Sequence, residues 1–150
     1  MTVLTPATAT LQDAQGRLPI RWKASLTAEV LLTYGRVRWL LARNGLPATL
    51  EALRRRSGVA EPDPGDAELT WHVGERLGYV AARTLDPFPG DSRCLMRSLV
   101  LTAMMARRGI QTTLIIGAKT DEGFAAHAWV EREGIPILSQ GSGYGRLAEL

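Results

Sequence analysis

Cys94 is the only cysteine in this chain of 150 residues, and its surroundings suit a nucleophile. It falls in the first turn of a predicted amphipathic helix, just after a proline-glycine loop, with Arg93 and Arg97 beside it. Free N–H groups and the positive end of the helix dipole favour the thiolate there. The same N–H groups can hold the oxyanion of a tetrahedral intermediate. Cysteines are also common as inert buried hydrophobes, so a catalytic role requires a base nearby.

His127 is the candidate for that base. It lies in a predicted strand, 126–131, where alternation places His127, Trp129 and Glu131 on one face. Alanines flank His127 and leave room for another backbone, such as the start of the nucleophile's helix. A core histidine bonded to a carbonyl group is the ordinary alternative. The other histidine, His72, is interpreted as a structural or surface residue of a helix.

The elements that must position these residues change type along the chain. Apolar residues recur at helical spacing over 21–43, an Asn-Gly pair ends that helix, and Pro47 begins a shorter one. Asp66 can cap a third helix that reaches Leu85, and Asp91 or Ser92 can cap the helix of the nucleophile. Strands are then predicted at 112–117, 126–131 and 135–138, the last after a Glu-Gly hairpin turn. Helices followed by a small antiparallel sheet predict an α+β fold.

Length and composition suit a single domain with its own core. Residues 1–19 are rich in threonine and alanine and are predicted to form a flexible arm, and residues 20–150 are predicted to form the domain. A single cysteine excludes a disulfide framework and a cysteine-rich zinc site, and we expect a reducing cytoplasm and no metal or other cofactor. The sequence has no secretory signal pattern and no long apolar run, so we expect no membrane association.

The net charge of +3 conceals two arginine-rich stretches in the first half, at 36–43 and 54–56. Such runs are usually solvated helix faces, and an acidic partner surface or peptide is the alternative. Nucleic acid is not expected, because no aromatic interleaving, zinc knuckle or glycine-rich phosphate loop accompanies the arginines.

Four stretches of the second half carry a family resemblance. Residues 93–101 (RCLMRSLVL), 106–109 (ARRG), 114–118 (LIIGA) and 126–131 (AHAWVE) closely resemble the B-protein leader peptidase of lasso-peptide biosynthesis. That family belongs to the transglutaminase-like and papain-like cysteine protease superfamily, where a cysteine on a helix precedes a histidine on a strand. The first half of the chain resembles the family in being helical and arginine-rich, but not in specific sequence motifs.

The resemblance implies a cytoplasmic cysteine peptidase that removes the leader from a ribosomally made lasso-type precursor peptide. It also implies partners: the precursor, a small leader-recognition protein (a RiPP recognition element), and a macrolactam synthetase that acts next. Arg97, Ser98 and Trp129 resemble family positions and are candidates for substrate contact. For Arg97 and Ser98 alike, the alternatives are fixing the start of the helix and an intrahelical or surface role. For Trp129 the alternative is packing in the core.

One position departs from the family pattern. A third residue, usually aspartate, orients the histidine ring in that family, but the corresponding stretch here holds Ser139 and Gln140. The amide oxygen of Gln140 could accept the imidazole N–H, as asparagine does in papain-like enzymes, and Ser139 is the other candidate. Glu131 shares the face of His127 but is awkwardly placed, two residues along the same strand.

The missing aspartate leaves a second function open. The chain would then be a catalytically weakened peptide-binding or scaffold protein of the same fold, within a peptide-maturation complex. A third possibility is acyl transfer to an amine instead of water, which the same cysteine and histidine would support.

Overall fold

The computed structural model describes residues 20–55, 67–90, 93–121, 123–138 and 140–150. The predicted arm at 1–19 and the predicted caps Asp66, Asp91 and Ser92 lie outside the described residues. Three helices precede a four-stranded antiparallel sheet, so the predicted α+β class is confirmed. The helices are α1 (Ile20–Arg54), α2 (Ala67–Leu85) and α3 (Arg93–Ala106). The strands are β1 (Thr113–Lys119), β2 (Ala125–Arg132), β3 (Ile135–Pro136) and β4 (Gly145–Glu149).

Helix α1 consists of two helical segments that meet at Gly45. This residue has φ 73° and ψ 178°, a conformation that glycine adopts without the steric cost of a side chain. The hydroxyl of Thr49 donates a 2.7 Å hydrogen bond to the Gly45 carbonyl, which supports the start of the second segment. The predicted break between a long and a short helix is therefore confirmed.

Helix α3 is the centre of the hydrophobic core. Every residue from Ser98 to Ala106 is buried, and α3 packs against α1, α2, β1 and β2. A helix that is apolar on all sides must be enclosed in this way. The helix ends as predicted, because Gly109 adopts φ 75° and the N–H of Ile110 bonds back to the Met105 carbonyl. The first turn of α3, which carries Cys94, emerges from this enclosed segment.

The strands form one sheet in the order β3-β2-β1-β4. Strands β1 and β2 pair over their whole length, from Thr113 opposite Glu131 to Lys119 opposite Ala125. The turn between β2 and β3 has positive φ at both Glu133 and Gly134, as a two-residue hairpin of the predicted kind requires. Strand β3 is shorter than the predicted 135–138.

Strand β4 was not predicted from the sequence. Its residues are mostly exposed, so they carry no apolar alternation that could reveal a strand. The strand exists because its backbone pairs with β1, with an irregularity between Ile116 and Gly117. Arg54, predicted to be part of a solvated run, instead donates hydrogen bonds to the carbonyls of Thr112 and Leu150 beside this pair. The end of α1 is thereby tied to the sheet.

Within the described part of the chain, no helix combines the length and the apolar character that crossing a membrane requires.

Candidate active site

Cys94 and His127 line the same cavity. Its volume is about 220 Å³, and its walls come from the first two turns of α3 and from β2. Cys94 is partly exposed and lies on the wall of this cavity. The fold therefore brings together the two residues that the sequence singled out. The other described residues that line it are Ala82, Arg97, Ser98, Ala128, Trp129 and Leu138.

Ser98 holds the nucleophile's helix against the histidine's strand. It lies one turn after Cys94, is only 2% exposed, and donates a 3.1 Å hydrogen bond from its hydroxyl to the Ala128 carbonyl. The small side chains of β2 permit this approach of helix and strand, as the flanking alanines predicted. The contact that the structure gives Ser98 is structural, and substrate binding by Ser98 stays a prediction.

The His127 imidazole is held by aromatic rings. Its centroid lies 6.0 Å from that of Trp129, with the rings stacked at 23°, and 5.1 Å from that of Tyr144, at 37°. Among the described residues, no side chain forms a hydrogen bond with the imidazole. These ring contacts restrict the tilt and position of His127.

Trp129, stacked on His127, is itself fixed by a buried carboxylate. Trp129 is 2% exposed, and its indole N–H donates a 2.8 Å hydrogen bond to Glu131, which is also 2% exposed. Both oxygens of Glu131 accept 2.6 Å hydrogen bonds from Arg146 on β4. The hydrogen bonds that Arg146 donates to Glu149, and more weakly to Glu131, raise the pKa of its guanidinium, which therefore stays charged.

The predicted face of β2 is confirmed by these contacts, since His127, Trp129 and Glu131 interact with one another. The carboxylate oxygens of Glu131 accept hydrogen bonds from Trp129 and Arg146. This agrees with the expectation that Glu131 is poorly placed to orient His127. Trp129 lines the cavity but is almost wholly buried, so the structure gives it a packing contact. Its role in substrate binding stays a prediction.

The third catalytic role is not assigned by the geometry. Ser139 lies outside the described residues, and Gln140 is exposed, with no hydrogen bond joining it to His127. Both residues remain predictions for that role.

Arg97 places a positive charge on the cavity wall. One of its terminal nitrogens donates a 2.8 Å hydrogen bond to Asp86, and the side chain is 27% exposed. Its Nε is buried and has no hydrogen-bond partner within the described residues. A guanidinium at this position can attract the negative charge that develops on a reacting sulfur or oxygen.

Tyr144 is a site residue that sequence reasoning missed. It precedes β4 and packs on the His127 ring, and the Lys119 ammonium lies 5.1 Å from the centroid of the Tyr144 ring. The available signal was an aromatic residue inside an otherwise small and polar segment, 141–145. Only the pairing of β4 with β1 brings that segment beside His127.

The described residues contain no cluster of side chains that could bind a metal ion. Across the described ranges, no three His, Cys, Asp or Glu side chains converge as a metal site would require. A thiol and an imidazole at one cavity are instead the components of nucleophilic acyl transfer.

Comparison with known proteins agrees with this fold. Searches of curated proteins and of solved structures gave no significant match. The family model of the transglutaminase-like superfamily, which contains cysteine peptidases and transglutaminases, matches residues 31–150. That range covers most of the chain and includes α2, α3, all four strands, Cys94 and His127. The chain belongs to the transglutaminase-like superfamily.

Proposed function

We propose that this protein is a cysteine peptidase with Cys94 as nucleophile and His127 as general base. The observation that carries the proposal is the shared cavity, lined by a partly exposed thiol at the start of α3 and by the imidazole on β2. Membership of a superfamily that includes cysteine peptidases supports it.

The chemistry follows from the residues at the cavity. His127 accepts the thiol proton, and the Cys94 sulfur attacks the carbonyl carbon of the scissile peptide bond. The N–H groups of the first turn of α3 stabilise the resulting oxyanion, and the Arg97 guanidinium adds positive charge on the same wall. The imidazolium then protonates the leaving amine. Water then attacks the thioester of the acyl-enzyme and gives a proton to His127. The C–S bond breaks, which releases the new carboxylate and regenerates Cys94.

The substrate class is proposed from the sequence resemblance. A small leader-recognition protein would deliver a lasso-type precursor peptide to the cavity, where the leader would be cleaved off. A macrolactam synthetase would then close the ring of the released core peptide. These reactions would take place in the cytoplasm.

The decisive experiment measures leader release from a precursor peptide in the presence of the recognition protein. Cys94→Ala is expected to lose activity by a factor of about 10³ or more, and His127→Ala by a similar factor. His72→Ala is the matched control, since His72 is an exposed helical residue next to Glu68 and Glu75. Undiminished cleavage by Cys94→Ala overturns the assignment.

A scaffold function is the second candidate, and one observation favours it. No described side chain orients His127 by a hydrogen bond, so part of a catalytic triad would be missing. A scaffold needs no activated thiol, and its Cys94 would react with an alkylating agent no faster than a model thiol. Its precursor would bind and leave intact.

Acyl transfer to an amine is separated from hydrolysis by the mass of the product. A peptidase yields the free carboxylate in the presence of an added primary amine, whereas a transferase yields the amide of that amine.

A further inference from the structure

A second cavity borders the first turn of α3. It has a volume of about 290 Å³ and lies between α1, the end of α2 and the loop that leads into α3. Arg93, next to Cys94 in sequence, forms part of its wall. The cavity is also lined by Tyr34 and Arg38 from α1, by Phe88 and Gly90 from the loop, and by Met96 from α3.

The floor of this cavity is aromatic and apolar. The rings of Tyr34 and Phe88 meet at a centroid distance of 5.0 Å and an angle of 48°, and both belong to the apolar groups packed against the core. Met96 completes the apolar surface from α3. A preformed concave surface of this kind takes an apolar side chain.

The rim is positively charged. Arg38 is exposed and lies over Tyr34, with its Cζ 5.9 Å from the ring centroid and one N–H donated to the Tyr34 hydroxyl at 3.3 Å. Arg93 is also exposed and donates a hydrogen bond to the Gly90 carbonyl at 3.3 Å. No acidic residue is found among the described residues that line the cavity, and neither arginine forms an ion pair with a described carboxylate. The rim therefore offers two guanidinium groups to a carboxylate from outside.

The position of the cavity relates it to the candidate active site. At about 100° per residue, Arg93 and Met96 face one side of the first turn of α3, and Cys94, Arg97 and Ser98 face a side roughly 120° away. A helix is about 10 Å wide, so the two cavities open on neighbouring flanks of one helix end. An extended peptide covers such a distance with about three residues.

We propose that this second cavity is a substrate subsite for a peptide segment that pairs an apolar side chain with an aspartate or glutamate. The apolar side chain enters between Tyr34, Phe88 and Met96, and the carboxylate pairs with Arg38 and Arg93. If the proposed peptidase activity is correct, the segment lies about three residues from the cleaved bond. The arginine run in α1, where an acidic peptide was one expected partner, supplies part of this recognition.

The test measures binding without cleavage, so it remains informative if the peptidase activity fails. The probes are two N-acetylated, C-terminally amidated tripeptides, Gly-Leu-Glu and Gly-Leu-Gln, titrated into the ¹⁵N-labelled full chain. The amide signals of Tyr34, Phe88 and Met96 report on the cavity. We expect the glutamate peptide to shift them and to bind about threefold more tightly than the glutamine peptide, because exposed ion pairs to Arg38 and Arg93 contribute little each.

Two charge reversals on α1 make a matched pair. Arg38→Glu is expected to abolish the preference for the glutamate peptide. Arg43→Glu is expected to keep it, because Arg43 stacks on Trp39 and does not line the cavity. Arg93→Gln, on the other side of the rim, is expected to weaken the preference as well.

Three results would overturn the subsite: equal affinity for both peptides, shifts confined to amides outside the cavity, or equal loss of preference in Arg38→Glu and Arg43→Glu. Tighter binding of a Gly-Leu-Gln peptide with a free C-terminal carboxylate than of Gly-Leu-Glu would overturn the assignment to an acidic side chain.

Discussion

The two faces of β2 are built by different kinds of interaction. On the face toward the helices, Ala128 and Val130 are buried in the apolar core. On the other face, Trp129 and Glu131 are equally buried, but they are joined by hydrogen bonds and by the ion pair to Arg146 on β4.

This difference assigns separate tasks to the two faces. Apolar contacts are non-directional and contribute mainly stability. Hydrogen bonds and ring stacking are directional, so the polar face determines where the Trp129 ring lies and, through it, where His127 lies. We therefore expect changes on the core face to act on folding, and changes on the polar face to act on folding and on the imidazole.

The largest effect is expected from a charge on the core face. Val130 is 0% exposed, so Val130→Asp would bury an unpaired carboxylate and lower the free energy of unfolding by about 4 kcal/mol or more. Urea denaturation measures the loss. Ala126→Asp is the control, because Ala126 lies on the same strand but is exposed, and a change below about 0.5 kcal/mol is expected. Both residues lie on the face of β2 toward the helices, so equal losses in the two variants would contradict the burial of Val130 in the core.

The second largest effect is expected when the buried carboxylate of Glu131, on the polar face, is neutralised. Glu131→Gln keeps an acceptor for the Trp129 N–H but loses the charge that pairs with Arg146, and we expect a loss of about 2 kcal/mol. Leader cleavage is expected to fall as well, since Trp129 supports His127. Glu149→Gln is the control: Glu149 binds the same arginine but is 60% exposed, so a loss of about 0.5 kcal/mol or less is expected. Full activity in Glu131→Gln would show that the hydrogen bonds of Glu131 to Trp129 and Arg146 do not influence His127.

A smaller effect is expected where β1 makes room for the indole ring. A Cβ at Gly117 would lie 2.7 Å from the Trp129 ring and 2.8 Å from the Gly145 carbonyl oxygen, so Gly117→Ala should cost about 1.5 kcal/mol. In contrast, Gly35→Ala on α1 meets no atom within 4 Å and should stabilise the helix by about 0.5–1 kcal/mol. A gain in stability, or no change, in Gly117→Ala would show that Gly117 is not under this steric constraint.

The smallest effect concerns a partly exposed carboxylate on the helical side. Hydrogen bonds from Arg108, and more weakly from Arg107, lower the pKa of Glu29 below its ordinary value of 4.5. The ion pair therefore stabilises the fold above that value, and its contribution is lost as the pH falls through the lower folded-state pKa. We expect Glu29→Gln to lose less stability than the wild type on acidification below about pH 5, by about 1 kcal/mol or less. The free energy of unfolding is measured against pH for both proteins. Parallel curves for wild type and Glu29→Gln would contradict a stabilising role of the Glu29 ion pair.

Local sequence pattern was sufficient to predict the helices, the two antiparallel strands and the face of β2 that carries His127. Helical spacing, the Asn-Gly break and the hairpin turn are all determined by residues close together in the chain. The approach of α3 to β2 was also anticipated, from the alanines beside His127.

Long-range pairing supplied what the sequence did not reveal. Strand β4 has no buried alternation, and its pairing with β1 places Tyr144 on His127 and Arg146 on Glu131. The cavity beside Arg38 and Arg93 likewise joins residues of α1 to the loop before α3. None of these neighbours is close in sequence, so no local pattern encodes them.

The most direct test of the central claim is the alkylation rate of Cys94. Iodoacetamide modifies a single thiol in this chain, which permits a clean comparison of wild type, His127→Ala and His72→Ala near pH 6. We predict that wild type and His72→Ala react on the order of tenfold faster than a model thiol. His127→Ala is expected to react more slowly than either, because only the helix N-terminus then favours the thiolate. A wild-type rate no higher than that of the model thiol, or one unchanged by His127→Ala, would contradict the pairing of Cys94 with His127.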